Sequence, residues 1–205
     1  MKVIGLIGGI GSGKSTVARL MGRYGGVTVI DADQLGHEVL RQNEVKTLVQ
    51  AQWGDTLFGD DGEIDRRKMA ARVFSGTREG NANLELLNKI SHPRIAELLT
   101  THLETARMAN MRMILLDAPL LLEGKWDRFC NDILFVDAPE QVRIARVLAR
   151  GWTMVEYQAR VASQLPLEAK RNAARFVINN DCSLVELKQR IDHLWEQIFA
   201  THVTG

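Results

Sequence analysis

Residues 8–15 (Gly-Gly-Ile-Gly-Ser-Gly-Lys-Ser) match the pattern G-x-x-x-x-G-K-[ST]. The apolar residues 3–7 before it predict a buried strand, and residues 15–21 after it predict the first turns of a helix. In that context backbone N–H groups converge on one point, and the helix dipole adds partial positive charge. Lys14 would reach the β- and γ-phosphates of a nucleotide, and the Ser15 hydroxyl would ligate Mg²⁺. The alternative is a flexible glycine turn. The pattern favours a nucleoside-triphosphate site made by Gly9, Gly11, Ser12, Gly13, Lys14, Ser15 and Thr16.

Aspartates follow two further apolar segments, where they could take part in phosphoryl transfer. That reaction needs in-line positioning, charge neutralisation and a group that accepts the proton of the nucleophile. Asp33, two residues after Asp31, begins a predicted helix and is suited to act as a general base on an alcohol. Asp117 could hold a magnesium-bound water. The alternative for Asp31 or Asp33 is helix N-capping, and for Asp117 a capping or strand-end position.

Three arginines, Arg143, Arg146 and Arg150, are spaced to share one face of a helix predicted to begin near Pro139. This helix follows a strand edge that faces the phosphates. We therefore expect Arg146 and Arg150 to stabilise the transferred charge as part of a lid, with Arg146 catalytic. A solvated stripe of charge is the alternative.

Four later apolar segments predict strands, at residues 28–30, 111–116, 133–136 and 175–178. Near-continuous apolar runs are typical of parallel strands that are covered on both faces. Each run ends in a polar residue, which would lie at the carboxyl edge of the sheet, where open α/β sheets bind their ligands. The polar strand ends are thus predicted to converge on the phosphate loop.

About 80 residues separate the second and third predicted strands, which is too long for a simple crossover. Helical periodicity occurs over residues 32–42, 44–53, 66–74 and 84–109, and the glycine- and aspartate-rich residues 54–65 predict a loop. The insertion is predicted to be a helical lobe that holds a second substrate.

Composition excludes several classes of protein. The chain has 205 residues with 26 basic and 25 acidic side chains, so its net charge of +1 gives no sign of binding to nucleic acid or to a membrane surface. No segment approaches the roughly 18 apolar residues of a membrane span. The two cysteines, Cys130 and Cys182, are far apart and predict reduced thiols. We expect a cytoplasmic protein.

The motifs together resemble the dephospho-coenzyme A kinase family over nearly the whole chain. The phosphate loop alone is generic, whereas the order and spacing of the other elements are specific. They are residues 29–33 (Val-Ile-Asp-Ala-Asp), 62–66 (Gly-Glu-Ile-Asp-Arg), 73–74, 92–93 (His-Pro), 117–123 (Asp-Ala-Pro-Leu-Leu-Leu-Glu), 146–150, 160–164 and 177–180.

The resemblance implies a fold: an α/β, three-layer P-loop kinase domain with a five-stranded parallel sheet and helices on both faces. Its parts would be a core at about residues 1–31 and 110–205, a helical coenzyme A lobe at about 32–109 and a lid at about 146–165.

It also implies a reaction, which is transfer of the γ-phosphoryl group of ATP, with Mg²⁺, to the ribose 3′-hydroxyl of dephospho-coenzyme A. By resemblance Asp33 is the base, and Arg66, His92 and Glu123 bind the acceptor. Asn180 lies near the adenine. His92 has an alternative role as a cap of a helix that starts at Pro93. The expected partners are ATP and dephospho-coenzyme A, with no nucleic acid or membrane, and the expected assembly is a monomer or weak homo-oligomer.

Two other functions remain open from the residues. A nucleoside-monophosphate kinase would share the loop and the lid, but it would not require the long insertion. A regulatory GTPase would need a late Asn-Lys-x-Asp motif, whereas Asn88-Lys89 precedes the third strand and continues as Ile90-Ser91.

Overall fold

Five apolar segments form the central sheet, and each strand begins and ends within two residues of its predicted limits. The computed structural model describes residues 1–200, so residues 201–205 of the predicted domain lie outside the described part. The strands are β1 (Lys2–Gly8), β2 (Val27–Asp31), β3 (Met113–Asp117), β4 (Asp132–Asp137) and β5 (Phe176–Asn179). Their order in the parallel sheet is β2-β3-β1-β4-β5.

The register of the sheet brings the polar strand ends to the edge at which β1 runs into the phosphate loop. Leu6 pairs with Asp117 of β3, and Gly8 pairs with Val136 of β4. One strand further out, Asp137 pairs with Asn179. Every residue of β1 and β3 is buried, whereas the edge strands β2 and β5 contain exposed residues. The prediction that the polar ends converge on the phosphate loop is confirmed for β3, β4 and β5.

Helices connect these strands, and the first six of them overlap the predicted helical segments. Among residues 1–200 they are α1 (Lys14–Met21), α2 (Ala32–Leu40), α3 (Asn43–Trp53), α4 (Arg66–Val73), α5 (Arg78–Met108), α6 (Glu140–Leu148), α7 (Met154–Ala162), α8 (Leu167–Asn172) and α9 (Leu184–Ala200). Short 3₁₀ turns occur at Gly54–Leu57 and Asp127–Phe129. None of the described helices is long and apolar enough to cross a membrane.

The main core lies between one face of the sheet and two helices. Ile4 and Leu6 of β1 pack there with residues of α1 and α9, such as Met21 and Ile191, which are fully buried. On the other face, Gly5 lies directly under the side chains of Leu121 and Cys130. Apolar residues that alternate along β1 therefore face opposite covering layers, as a three-layer α/β fold requires.

The chain divides into two compact units. The sheet unit comprises residues 1–30 and the chain from Thr105 onward, and the helical unit is Asp31–Glu104. Within the helical unit, the Arg94 guanidinium of α5 lies 2.6 Å from the Glu44 carboxylate of α3. The Trp53 indole N–H donates to Asn83 Oδ1 at 2.9 Å. The loop predicted at residues 54–65 is closed by an isolated antiparallel bridge between Phe58 and Ile64.

The helix predicted at residues 84–109 is confirmed, whereas the alternative role of His92 as a helix cap is wrong. Pro93 lies inside α5, so His92 does not cap the start of a helix. The helix continues past the proline because Ile95 and Leu99, one turn apart, are buried. Burial of this apolar stripe outweighs the backbone hydrogen bond that proline cannot make. Just before the proline, Ser91 Oγ donates to the Leu87 carbonyl at 2.8 Å.

Candidate active site

The phosphate loop connects the end of β1 to the first turn of α1. Ser12 N–H donates to the Gly9 carbonyl at 2.9 Å, which closes the loop into a tight turn. No side chain caps the N-terminus of α1 at Gly13. An α-helix leaves its first N–H groups without intrahelical acceptors, so this end is suited to receive an anion.

Two glycines of the loop are required by its geometry. Gly11 and Gly13 both have a positive φ, of 80° and 86°. A Cβ on Gly11 would collide with the backbone carbonyl of Arg143, and one on Gly13 would collide with the side-chain amide of Asn180. Both the backbone conformation and the close neighbours therefore favour glycine.

Lys14 and Asp117 form an ion pair in which both side chains are largely buried. The pair follows from the register, because Asp117 ends β3 beside Leu6, two residues before Gly8. The sequence predicts two separate roles for these residues, Lys14 at the phosphates and Asp117 at a magnesium-bound water. The structure brings the two side chains together.

The oxygen ligands near the loop fit Mg²⁺. Ser15 is exposed at the start of α1, and the Asp117 carboxylate lies at the adjacent strand end. The buried Ser12 Oγ has no hydrogen-bond partner among the described residues. Residues 1–200, which the structure describes, include no cluster of three His, Cys, Asp or Glu side chains that could hold a metal. A hydroxyl and a carboxylate are sufficient for Mg²⁺, because this ion takes few protein ligands and completes its shell with phosphates and water.

Arg146 and Asn180 both hold the carbonyl side of the phosphate loop. The Arg146 guanidinium donates to the carbonyls of Ser12 at 3.1 Å and of Asn180 at 2.9 Å. Asn180 Nδ2 donates to the same Ser12 carbonyl at 2.6 Å, and only 4% of Asn180 is exposed. The two residues thus hold the Ser12 carbonyl, and with it this part of the loop, in place.

The other two arginines of this set, Arg143 and Arg150, differ sharply in exposure. Arg143 is buried, and its guanidinium donates to the Ala138 carbonyl at 3.2 Å and to Tyr157 Oη of α7 at 3.0 Å. Arg150, beyond the end of α6, is exposed. The spacing of the three arginines predicts that they share one face. It does not predict that Arg143 supports the phosphate loop, because the burial of Arg143 depends on α7.

Within the helical unit, Asp31 and Asp33 have separate positions at the start of α2. Asp31 Oδ1 accepts from the backbone N–H groups of Asp33 at 2.9 Å and Gln34 at 3.1 Å. Asp31 is therefore the N-cap, and Asp33 is the second residue of the helix with an exposed side chain. The capping alternative applies to Asp31 and not to Asp33.

A polar cavity of about 290 Å³ lies in the helical unit. Its walls include Arg66, His37 and Arg41 together with Asp61 and Glu63. Burial, followed by the Arg66 charge, lowers the pKa of His37 from 6.5, whereas the Asp33 carboxylate raises it. Arg66 thus lines this cavity, while His92 is not among the lining residues. His37 and Arg41 were missed, although His37 stands one helical turn after Asp33.

Glu123, predicted to bind the acceptor, is held by other residues of the sheet unit. Its Oε1 accepts from the backbone N–H of Leu165 and from the Lys170 ammonium, both at 2.9 Å. Its buried Oε2 has no hydrogen-bond partner among the described residues. Lys170 was not detected from the sequence, because nothing in its local pattern distinguishes it from a surface lysine.

A profile of the family described as dephospho-CoA kinase matches residues 2–186. The chain belongs to the dephospho-CoA kinase family. A curated member from Deinococcus radiodurans is 39% identical over 199 residues, which cover 97% of this chain and 93% of the relative. One from Dehalococcoides mccartyi is 35% identical over 195 residues, covering 95% and 96% of the two chains.

Solved structures agree with the fold. The protein TT1252 from Thermus thermophilus has a TM-score of 0.78 and 33% identity, with coverage of 100% of this chain and 98% of that one. A shikimate kinase from Acinetobacter baumannii, at a TM-score of 0.56 and 14% identity, covers 100% of this chain and 96% of its own, and is similar in fold alone. The expected fold and family are thus confirmed, and the GTPase and nucleoside-monophosphate kinase alternatives are set aside.

Proposed function

We propose that this chain transfers the γ-phosphoryl group of ATP to the ribose 3′-hydroxyl of dephospho-coenzyme A, which is the last step of coenzyme A synthesis. The observation that carries this proposal is membership of the dephospho-CoA kinase family over residues 2–186, in a chain that has an intact phosphate loop. The ligands are ATP and dephospho-coenzyme A. We expect a monomer or weak homo-oligomer.

On the nucleotide side, the N–H groups of the loop and of the first turn of α1 bind the phosphates. Lys14 neutralises the β- and γ-phosphates, and its ion pair with Asp117 keeps the ammonium beside the loop before ATP arrives. Arg146 supports catalysis by holding the loop and by adding charge next to it. Asn180 contributes to nucleotide binding from the same side of the loop. Arg150, which is exposed, remains a proposed lid contact.

Ser15 and Asp117 would hold Mg²⁺, which supplies positive charge to the β- and γ-phosphates when it is bound. Ser15 lies at the start of α1 and offers a hydroxyl. Asp117 offers its carboxylate directly or through a water. The unpaired Ser12 Oγ is a further donor near the phosphates.

On the acceptor side, Asp33 takes the proton of the 3′-hydroxyl. The hydroxyl oxygen then bonds to the γ-phosphorus as the bond to the β–γ bridging oxygen breaks, and ADP leaves. The N-cap of α2 is Asp31, so helix capping does not account for Asp33 at this position. Arg66, with its cavity, binds an anionic part of the acceptor, and His92 and Glu123 stay proposed acceptor-side residues.

Release of ADP from ATP, measured with and without dephospho-coenzyme A, tests the proposal. We expect strong stimulation by dephospho-coenzyme A and a product with a new monoester phosphate at the 3′ position, seen by mass spectrometry and phosphorus NMR. Equal stimulation by AMP would contradict it in favour of a nucleotide kinase. A product phosphorylated elsewhere would contradict the assigned hydroxyl.

A further inference from the structure

Lys170 is a fully buried lysine that lies outside the phosphate loop and the acceptor cavity. It lies on α8, and its relative exposure is 0%. Burying an ammonium ion is unfavourable unless its charge and its N–H donors are all matched. The surroundings of this side chain meet that condition.

Each of the three ammonium hydrogens of Lys170 has an acceptor. The Nζ atom lies 2.7 Å from the Pro119 carbonyl, 3.0 Å from Gln164 Oε1 and 2.9 Å from Glu123 Oε1. Pro119 and Glu123 belong to the loop that follows Asp117, and Gln164 lies at the end of the predicted lid. One buried charge therefore joins α8, the loop after Asp117 and the carboxyl end of the lid.

Further contacts connect Lys170 and its three acceptor residues with the reacting groups. Leu165 N–H, one residue after Gln164, donates to Glu123 Oε1 at 2.9 Å. A Cβ on Gly9 of the phosphate loop would lie 3.0 Å from Leu167 Cδ2, so the start of α8 packs against that loop. Asp117, two residues before Pro119, pairs with Lys14. A shift of Lys170 and its acceptors would displace groups on both sides of the phosphates.

We propose that Lys170 is a positioning residue for phosphoryl transfer, which fixes the 118–123 loop to residues 164–165 without touching either substrate. This inference rests on the proposed function. It also assigns a second duty to Glu123, which is to hold the end of the lid. Small displacements at a transfer site reduce the rate far more than they reduce binding.

The test separates positioning from stability with two variants. In Lys170→Met the Glu123 carboxylate keeps its burial but loses its counterion, so the melting temperature should fall. In Lys170→Met with Glu123→Gln the uncompensated charge is gone, and the melting temperature should recover most of the loss. Methionine still cannot hold Pro119 and Gln164. We therefore expect kcat of the double variant to stay at least about tenfold below wild type, with KM for ATP changed by less than about threefold.

Hydrogen exchange and a matched control complete the experiment. The amides of residues 163–166 should exchange faster in both variants, while those of α9 should not change. Lys188→Met, at an exposed lysine paired with Asp192, controls for loss of one lysine and should leave kcat unchanged.

Recovery of both the melting temperature and kcat in the double variant would overturn the positioning role. Failure of the wild-type enzyme to phosphorylate dephospho-coenzyme A would instead overturn the proposed function. The rates of wild type and of the two Lys170 variants would then be compared for ATP hydrolysis.

Discussion

Two aspartates only two residues apart, Asp31 and Asp33, have different tasks at the start of α2. The Asp31 carboxylate accepts two backbone hydrogen bonds and caps the helix. Asp33 lies within the first turn and is exposed. A carboxylate there is favourable to the helix dipole, but the cap does not depend on it. The two residues can therefore be separated by mutation.

Replacement of Asp33 by asparagine should reduce kcat by about 10²–10⁴-fold, because the amide keeps the size and cannot accept the proton. The KM for ATP should change little, since the loop and Lys14 bind the nucleotide. Stability should stay within about 0.5 kcal/mol of wild type, as for other surface substitutions. Steady-state kinetics and urea unfolding measure these quantities.

The control for this prediction is Asp31→Asn, which retains a capping oxygen and should leave both rate and stability near wild type. A normal rate in Asp33→Asn combined with a slow Asp31→Asn would move the base to Asp31. Loss of rate in both variants would show that the turn, and not one carboxylate, is required.

His37 gives the helical unit a dependence on pH. Its pKa is lowered from 6.5, first by burial and then by the Arg66 charge. The unfolded chain therefore binds the proton at a higher pH than the folded protein does. The contribution to stability is complete above the usual pKa of 6.5 and is lost as the pH falls from 6.5 towards the folded pKa.

We expect His37→Gln to flatten the fall in the free energy of unfolding below about pH 6.5. Urea unfolding at a series of pH values measures the slope. His102→Gln, at an exposed histidine of α5, is the matched substitution measured in parallel. Identical slopes for wild type and His37→Gln would contradict the assignment.

At the scale of elements, apolar patterning was enough to predict the five strands and most helices. The strands of this sheet are runs of 4–7 residues that end in Asp, Asn or Gly. The apolar pattern and the residues that end each run therefore predict the same strand limits. The periodicity at residues 84–109 predicts one helix through Pro93, as observed, although the local rule for proline predicts a helix boundary there. Burial of Ile95 and Leu99 overrides that rule, and such burial depends on helices far away in sequence.

Among the site residues, those in the loop motif were predictable, since the phosphate loop needs specific residues at fixed spacing. The clamp of Asn180 and Arg146 on the Ser12 carbonyl was not. It joins segments more than 130 residues apart, and no local pattern records that contact. Lys170 was missed for the same reason.

The C-terminal helix α9 is attached to the end of α1 by a tyrosine. Tyr24 Oη donates to the Asp192 carboxylate, and its ring stacks on Trp195 with centroids 4.6 Å apart. Burial and then the Asp192 interaction raise the pKa of Tyr24 from 10.0 to about 12. The folded protein thus keeps the phenol proton to a higher pH than the unfolded chain. The stabilisation is complete below pH 10.0 and is lost as the pH rises towards 12.

We expect Tyr24→Phe to lower the free energy of unfolding by about 1 kcal/mol at neutral pH, the net value of a hydrogen bond at a partly exposed site. The chain has two tyrosines, so ultraviolet titration of the variant reports Tyr157 alone and the difference from wild type reports Tyr24. If the tyrosine reported by that difference titrates near the ordinary pKa of 10.0, the result would contradict the contact between Tyr24 and Asp192.

At the scale of the whole molecule, the order of strands was not predictable from the chain. Apolar runs identify strands but do not say which of them are neighbours, because parallel strands are joined by crossovers. In the observed order β1 lies between β3 and β4, which places Asp117 next to the phosphate loop.

The helical unit should determine the choice of acceptor. We predict that kcat/KM for dephospho-coenzyme A exceeds that for AMP or adenosine by at least about a hundredfold, because contacts to the pantetheine arm orient the ribose hydroxyl. Arg66, in the wall of the cavity with His37 and Arg41, is the candidate for this selectivity. Arg66→Leu should therefore lower kcat/KM for dephospho-coenzyme A by about tenfold or more, the cost of one charged hydrogen bond, and should leave the slow reaction of adenosine unchanged.

Arg67→Leu is the matched control for this last prediction, because Arg67 is the exposed next residue of α4 and does not line the cavity. Equal losses of kcat/KM in the two variants would mean that a general positive charge, and not the cavity, attracts the substrate. Such a loss should become smaller at high salt. Equal kcat/KM for AMP and dephospho-coenzyme A in wild type would show that the helical unit does not select the acceptor. Because Arg66→Leu acts on the acceptor alone, the KM for ATP should stay at its wild-type value, and a parallel rise in that KM would place Arg66 on the nucleotide side instead.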